Sequence, residues 1–244
     1  MRALTATELL GAWEQGLSQS AVHRALTLLT LTNADAGPEW PAQLSIGQRD
    51  AHLLALRERA FGPRMTGLAM CPACGVQVQL DFTVADVRVA APSISVDPCT
   101  LSFGECDVFF RLPNSQDLQA LPTPSDGRSS KRALLERCLL SARRNGQEIP
   151  AEQLPEEVTT AISERMAEID PEADVQLALS CPQCDQRWHA PLDIASFLWS
   201  EIHAWAVRLL RDVHTLASAY GWREAEILAL SPWRRQAYLE LIEQ

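Results

Sequence analysis

Along most of the chain apolar side chains recur every three or four residues, and over one central stretch they recur every second residue. The first period predicts amphipathic helices and the second a half-buried strand. The expected fold class is therefore α+β, mainly helical with a small antiparallel sheet. Thr5-Ala6-Thr7-Glu8 has the form of a capping box, in which the threonine oxygen accepts an orphan helical N–H and the glutamate reaches back to the cap. Ser18 is read as the start of a second helix carrying Val22, Leu26 and Leu29. After the break at Gly37-Pro38-Glu39-Trp40-Pro41, Ser45-Ile46-Gly47-Gln48 repeats the capping pattern. The helix behind it lines up Leu53, Leu56 and Ala60.

At Cys71 the period changes. Val76, Val78 and Leu80 alternate with Gln77, Gln79 and Asp81, which is strand spacing. Further strands are expected over Ser93–Val96 and Asp107–Leu112, so that Gly75–Leu112 forms the small sheet. The run Pro122-Thr123-Pro124-Ser125-Asp126-Gly127-Arg128-Ser129-Ser130 reads as a loop by composition. Helical patterns resume at Lys131–Arg144, with Leu134, Leu135, Cys138 and Leu139 on one stripe, and at Glu156–Ile169. The longest helix is expected beyond the second cysteine pair. Asp193 is its cap, Phe197, Leu198, Ile202, Trp205, Leu209, Val213 and Leu216 step along it by threes and fours, and Gly221 supplies a left-handed C-terminal residue. A short helix over Arg223–Leu230 follows. Ser231-Pro232 starts the last one, serine as cap and proline in the first turn.

Charge narrows the partners. Lys and Arg number 21 against 31 Asp and Glu, a formal net charge of −10. Such a chain repels phosphate backbones, so nucleic acid is a poor default partner. No apolar run reaches the ~18 residues of a membrane span, and the first residues lack the apolar stretch of a secretory signal. A soluble, cytoplasmic protein without a membrane partner is expected. Seven cysteines in that reducing compartment point to metal binding in preference to disulfides.

Cys71-Pro72-Ala73-Cys74 and Cys181-Pro182-Gln183-Cys184 are two copies of one unit. Two residues between thiolates let both sulfurs reach one tetrahedral Zn2+ at about 2.3 Å, and two such pairs close a structural site with no position left for water. Cys71, Cys74, Cys181 and Cys184 are thus the expected zinc ligands, and the two Cys-Pro-x-Cys knuckles form a zinc-ribbon-like element. The stretch from Gly75 to Ser180 separates them, far more than the roughly 15–20 residues of a compact site. It must be an insertion that leaves one knuckle and returns to the other, which loop-closure entropy permits. The expected layout is N-terminal helices (1–62), a first knuckle with the small sheet (63–112), a helical insertion (113–176), a second knuckle (177–192) and C-terminal helices (193–244).

Two other readings of the pairs stay open: reduced turns without metal, and a redox couple. Redox pairs sit at helix starts, which lower the thiol pKa. Here the residues after Cys74 alternate as a strand, and those after Cys184 show no helical stripe. Cys99 and Cys106 read as small core residues that could serve as substitute ligands, Cys138 as core, and His189, near the second pair, as a solvated strand histidine that could otherwise replace a thiolate. His203 and His214 share a helix face about three turns apart, too far for one ion. The chain has no His-Glu-x-x-His, no glycine-rich phosphate loop and no Gly-x-Ser-x-Gly elbow, and no catalytic residue is assigned.

Trp188, Trp199, Trp205, Trp222 and Trp233 crowd the C-terminal part. Packing of the long helix explains them. The alternative is an exposed docking surface with Trp222, Trp233, Arg234, Arg235 and Tyr238 as its contacts, the arginine pair forming a rim. The strings Glu201-Ile202-His203-Ala204-Trp205, Val213-His214-Thr215-Leu216-Ala217, Tyr220-Gly221-Trp222-Arg223-Glu224-Ala225-Glu226-Ile227-Leu228-Ala229-Leu230 and Trp233-Arg234-Arg235-Gln236-Ala237-Tyr238-Leu239 resemble the T4-type baseplate protein family. Its members are described as baseplate hub assembly chaperones of contractile phage tails and phage-like injection systems. Arg111-Leu112-Pro113-Asn114-Ser115-Gln116-Asp117-Leu118, Asp170-Pro171-Glu172-Ala173-Asp174 and both cysteine pairs share the resemblance, which spans most of the chain after about residue 45 and is weakest over the first forty. It implies a non-enzymatic role: helping to assemble the baseplate hub and spike, or forming a small part of them. The implied partners are hub, spike or tape-measure proteins, met in the cytoplasm or within the particle. A zinc-ribbon regulator of nucleic acid is the competing class, opposed by the net charge, and a cysteine redox enzyme is a third.

Overall fold

The computed structural model describes residues 2–89, 98–121 and 127–242. Helix α1 (Ala6–Gly16) opens with the expected capping box, the Thr5 hydroxyl accepting from Glu8 N–H at 3.2 Å and the Glu8 carboxylate from Thr5 N–H at 2.9 Å. Helix α2 (Ala21–Thr32) is capped by Ser20 and not by Ser18, because residues 17–19 complete a turn off the end of α1. The inward stripe shifts with the cap to Ala25, Leu28 and Leu29, leaving Val22 and Leu26 half-buried. Gly37, with φ +82°, breaks the chain before the short α3 (Trp40–Gln43). Ser45 and Gln48 cap α4 (Ile46–Phe61), which buries Leu53, Leu54 and Leu56; Ala60 lies on its exposed last turn.

Strands β1 (Arg64–Met70) and β2 (Gln77–Thr83) form a hairpin in register from Arg64↔Thr83 to Met70↔Gln77, and α5 (Val84–Val87) follows. Strands β3 (Cys99–Phe103) and β4 (Cys106–Phe110) come next, then α6 (Ser115–Ala120), α7 (Gly127–Cys138), β5 (Leu139–Arg144) and β6 (Gln147–Glu148). The sheet order is β3-β4-β5-β6, all antiparallel neighbours. The expectation of one sheet over Gly75–Leu112 is therefore corrected: β2 pairs back to β1, whereas β4 pairs forward to β5. The helix expected over Lys131–Arg144 also ends at Cys138. The reason is tertiary, since Val108 and Phe110 in β4 need a partner strand and find it in Ala142 and Leu139. Gly127–Ser130, expected as loop, belong to α7. Residues 122–126 and the strand expected over Ser93–Val96 lie outside the described residues.

Helix α8 (Glu156–Ile169) has its expected bounds, and a 3₁₀ turn at Pro171–Asp174 leads to a second hairpin of β7 (Gln176–Ser180) and β8 (Arg187–Pro191). Helix α9 (Ile194–Tyr220) follows, capped by Asp193 and closed by Gly221 at φ +69°. Two shorter helices, α10 (Glu224–Leu228) and α11 (Pro232–Ile242), finish the chain. No helix among the described residues is long and apolar enough to cross a membrane.

The apolar interior falls into four clusters. The largest joins α1, α2 and α4 to the first half of α9 through Leu29, Leu53, Leu198 and Ile202. The inserted segment has its own core of Cys99, Cys106, Val108, Phe110, Ala142, Val158 and Ile162. Leu209, Val213, Leu216 and Ile227 pack the second half of α9 under α10 and α11. The smallest contains Cys71, Val78 and Cys181, with Trp188 against it. Polar contacts tie these bodies together. Arg57, buried, donates to both Glu201 oxygens at 2.8 and 2.6 Å and to the Gly62 carbonyl at 2.6 Å, locking α4 to α9. The Asp170 carboxylate accepts from Gly47 N–H at 2.9 Å, joining the end of α8 to the start of α4.

Candidate metal centre

Each cysteine pair sits at the tip of its hairpin, where β1 hands over to β2 and β7 to β8. The two tips are built alike. Cys71 N–H donates to the Val76 carbonyl at 2.9 Å and Gly75 N–H to the Cys71 carbonyl at 3.0 Å; Cys181 N–H donates to Gln186 at 2.9 Å and Asp185 N–H to Cys181 at 3.0 Å. Gly75 and Asp185 occupy the same turn position, both with positive φ, +73° and +56°. Glycine takes that conformation freely, and aspartate is among the few other residues that tolerate it. The likeness runs on: Thr83 and Asp193 each precede a helix at the same distance past their knuckle.

The tips meet face to face. Cys71 Sγ lies 3.7 Å from Cys184 Sγ, and Cys74 Sγ lies 3.6 Å from Cys181 Sγ. All four sulfurs fall within 4.8 Å of one another, with Cys71 and Cys181 buried and Cys74 and Cys184 exposed. These separations far exceed the roughly 2.05 Å of a disulfide, and the cysteines are free thiols. A tetrahedron with Zn2+–sulfur arms of about 2.3 Å has edges of about 3.8 Å, so the two cross-pairs match a tetrathiolate site. The donor set is soft and complete, which suits Zn2+ and leaves no open position.

The electrostatics agree. Backbone N–H groups of Cys74 and Ala73 aimed at its sulfur draw the Cys71 thiol down to about 6. Gln186 N–H favours the thiolate at Cys184 as well, but the neighbouring Cys74, Cys181 and Cys71 sulfurs and burial outweigh it, and Cys184 is pushed up to about 12. One negative charge is welcome in the cluster and further ones repel it. A divalent cation at the centre removes that conflict.

Among the described residues this is the only group of three or more His, Cys, Asp or Glu side chains converging in this way. Cys99, Cys106 and Cys138 are buried in the inserted body, so they are core residues and not substitute ligands. Burial pushes the Cys138 thiol up to about 11. His189 stands exposed on β8, outside the cluster. His203 accepts a hydrogen bond from Trp13 Nε1 at 3.1 Å, and His214 is exposed one face along α9.

The aromatic residues divide. Trp188 covers the knuckles, Trp199 lies under the Arg24 guanidinium at 4.4 Å, and Trp205 bridges two cores. Trp222 stacks on Tyr220 at 4.7 Å between ring centroids and meets Tyr238 edge-on at 4.8 Å. Trp233 is 87% exposed, and Arg234 is exposed beside it. Arg235 does not join the rim expected for the arginine pair. It is buried, its Nε 3.6 Å from Asp212 Oδ2, because α11 turns that position towards α9. Periodicity did not single out β1, whose inward residues Met65, Gly67 and Ala69 are mostly small, although the knuckle spacing required a strand before Cys71.

A family model described as T4 bacteriophage base plate protein matches residues 6–199. The match takes in the N-terminal helices, where the resemblance was weakest, both knuckles and the inserted body, and it stops early in α9, before the strings of residues 201–239. No curated protein matches the chain, and no solved structure does.

Proposed function

The chain belongs to the T4 bacteriophage base plate protein family, and from that membership we propose that it is a non-enzymatic assembly factor or minor component of a contractile baseplate hub. It acts by docking on hub, spike or tape-measure proteins. A baseplate-associated role follows from the family; the rest is our reading. The observation that carries it is the closed quartet of Cys71, Cys74, Cys181 and Cys184 at the meeting of two hairpins. These residues would hold Zn2+, which supplies charge neutralisation and a cross-link, and the complete set of thiolates leaves no position for a reacting water. The pair geometry fits a knuckle and not a redox site, since neither pair opens a helix.

A rigid scaffold leaves its outer surfaces for partners. Trp233 and Arg234 are exposed on α11, the helix whose Tyr238 packs with Tyr220 and Trp222, an aromatic and cationic pair of the kind that anchors interfaces. Interfaces of transient assembly complexes are small, about 1,200 Å2 or less. The test is co-expression of the full chain with hub, spike and tape-measure proteins of a contractile tail, followed by purification and mass measurement. A defined complex with one of them is expected. A free chain in every combination, or salt-sensitive binding to DNA instead, would overturn the proposal.

A further inference from the structure

Helix α9 is covered differently along its length. Its first half is enclosed by α1, α2 and α4, whereas its second half packs through Leu209, Val213 and Leu216 against α10, α11 and Ala6 at the start of α1. The opposite face of that second half carries Ala204, Val207, Leu210, Arg211, His214 and Ser218, spaced by threes and fours on one stripe. Among the described residues, those lining a shallow depression of about 540 Å3 here are Val207, Leu210, Arg211, His214 and Thr215, all on α9. Val207 and Leu210 are only half-buried there, although apolar residues on a helix normally turn to the core.

The charge on this face is opposite to that of the whole molecule. From His203 to Tyr220 the helix has one carboxylate, Asp212, and it sits at the side of the stripe, engaged by Arg235 at 3.6 Å and drawn on by Arg208. The stripe itself holds Arg211, with Arg208 at its border and no acid, on a chain of net charge −10. A second copy of the chain would bring two such arginine-bearing faces together, and like charges across an interface are unfavourable. Nucleic acid would find few cations, an apolar centre and a repelling net charge.

We infer that the outward stripe of α9 from Ala204 to Ser218 seats an amphipathic helix of a partner protein, with an apolar ridge flanked by carboxylates. Val207 and Leu210 meet the ridge, the small Ala204 and Ser218 at the ends let the two backbones approach, and Arg211 pairs with a partner carboxylate. This rests on the docking role proposed above and names the chemistry of what docks.

The test uses the full chain and labelled helical peptides about four turns long, with leucines at every third and fourth position. One carries glutamates beside the leucines and the other lysines. The glutamate peptide is expected to bind at least tenfold more tightly than the lysine peptide. Leu210→Glu and Arg211→Glu should each weaken it tenfold or more while leaving the melting temperature unchanged. Equal binding of both peptides, indifference to the two variants, tighter binding of a DNA duplex, or self-association abolished by the same variants would each overturn the inference. A baseplate complex that forms equally well with both variants would refute this site and leave the proposed function standing, whereas absence of any complex would refute the function.

Discussion

Asp117 shows how a single residue holds the inserted body together. Its side chain is 1% exposed, and its carboxylate accepts from Arg111 at 2.5 and 2.7 Å, from Arg137 at 3.2 Å and from Asn114 N–H at 3.0 Å. Burial pushes the carboxyl up, but the Arg111 and Asn114 hydrogen bonds outweigh it and hold Asp117 below the ordinary carboxylate range. A depressed carboxylate contributes stability that is complete above its unfolded pKa and is lost as pH falls through the folded one. Asp117→Asn is therefore expected to cost about 2–3 kcal/mol at pH 7, somewhat less than a wholly buried pair because Arg111 and Arg137 reach solvent. The deficit should shrink below about pH 4, as urea titrations across that range would show. Gly47 is constrained in a different way. A Cβ there would run into the Asp170 carboxylate and come within 2.9 Å of the Ala173 backbone nitrogen, which cannot swing aside. Gly47→Ala should lower the urea midpoint by the equivalent of about 2 kcal/mol without changing the slope.

Among the elements, each knuckle hairpin is too small to be stable alone, and its two-stranded sheet needs an outside constraint. Cys71→Ser or Cys181→Ser is expected to release the metal and unfold the hairpins, since structural zinc contributes on the order of 10 kcal/mol in small peptides. Unchanged metal content with unchanged melting would contradict this. Trp233→Ala should leave stability within about 0.5 kcal/mol, because the indole is 87% exposed, and should weaken the complex recovered on co-expression with the proposed baseplate partners. Elements whose signals are local were legible in the sequence: the boxes at Thr5 and Ser45, the cap at Asp193, the Gly221 stop and the four cysteines. Those decided by tertiary pairing were not. Leu139 continues a helical stripe by spacing, yet it turns into β5 because Phe110 in β4 requires a neighbour. Strand β1 gives little alternating signal because its inward Gly67 and Ala69 are small, and Arg235 has a surface sequence pattern although α11 turns it onto Asp212.

At the scale of the whole molecule, the inserted body leaves the first knuckle and returns to the second, and the chain closes on itself where the sulfurs meet. The Arg57–Glu201 pair locks α4 to α9 within the helical frame, and the Asp170–Gly47 bond ties the end of α8, inside the insertion, to the start of α4. The first half of α9 is thereby built into the main core, and its second half carries the aromatic cluster of Tyr220, Trp222 and Tyr238. The family match ends at residue 199, so most of α9 and all of α10 and α11 lie beyond the matched region. The most direct test is metal analysis of the purified full chain combined with thermal unfolding before and after a strong chelator. One Zn2+ per chain, bound by four thiolates and lost together with a large fall in melting temperature, is the expected result. A metal-free protein whose melting the chelator leaves unchanged would contradict it.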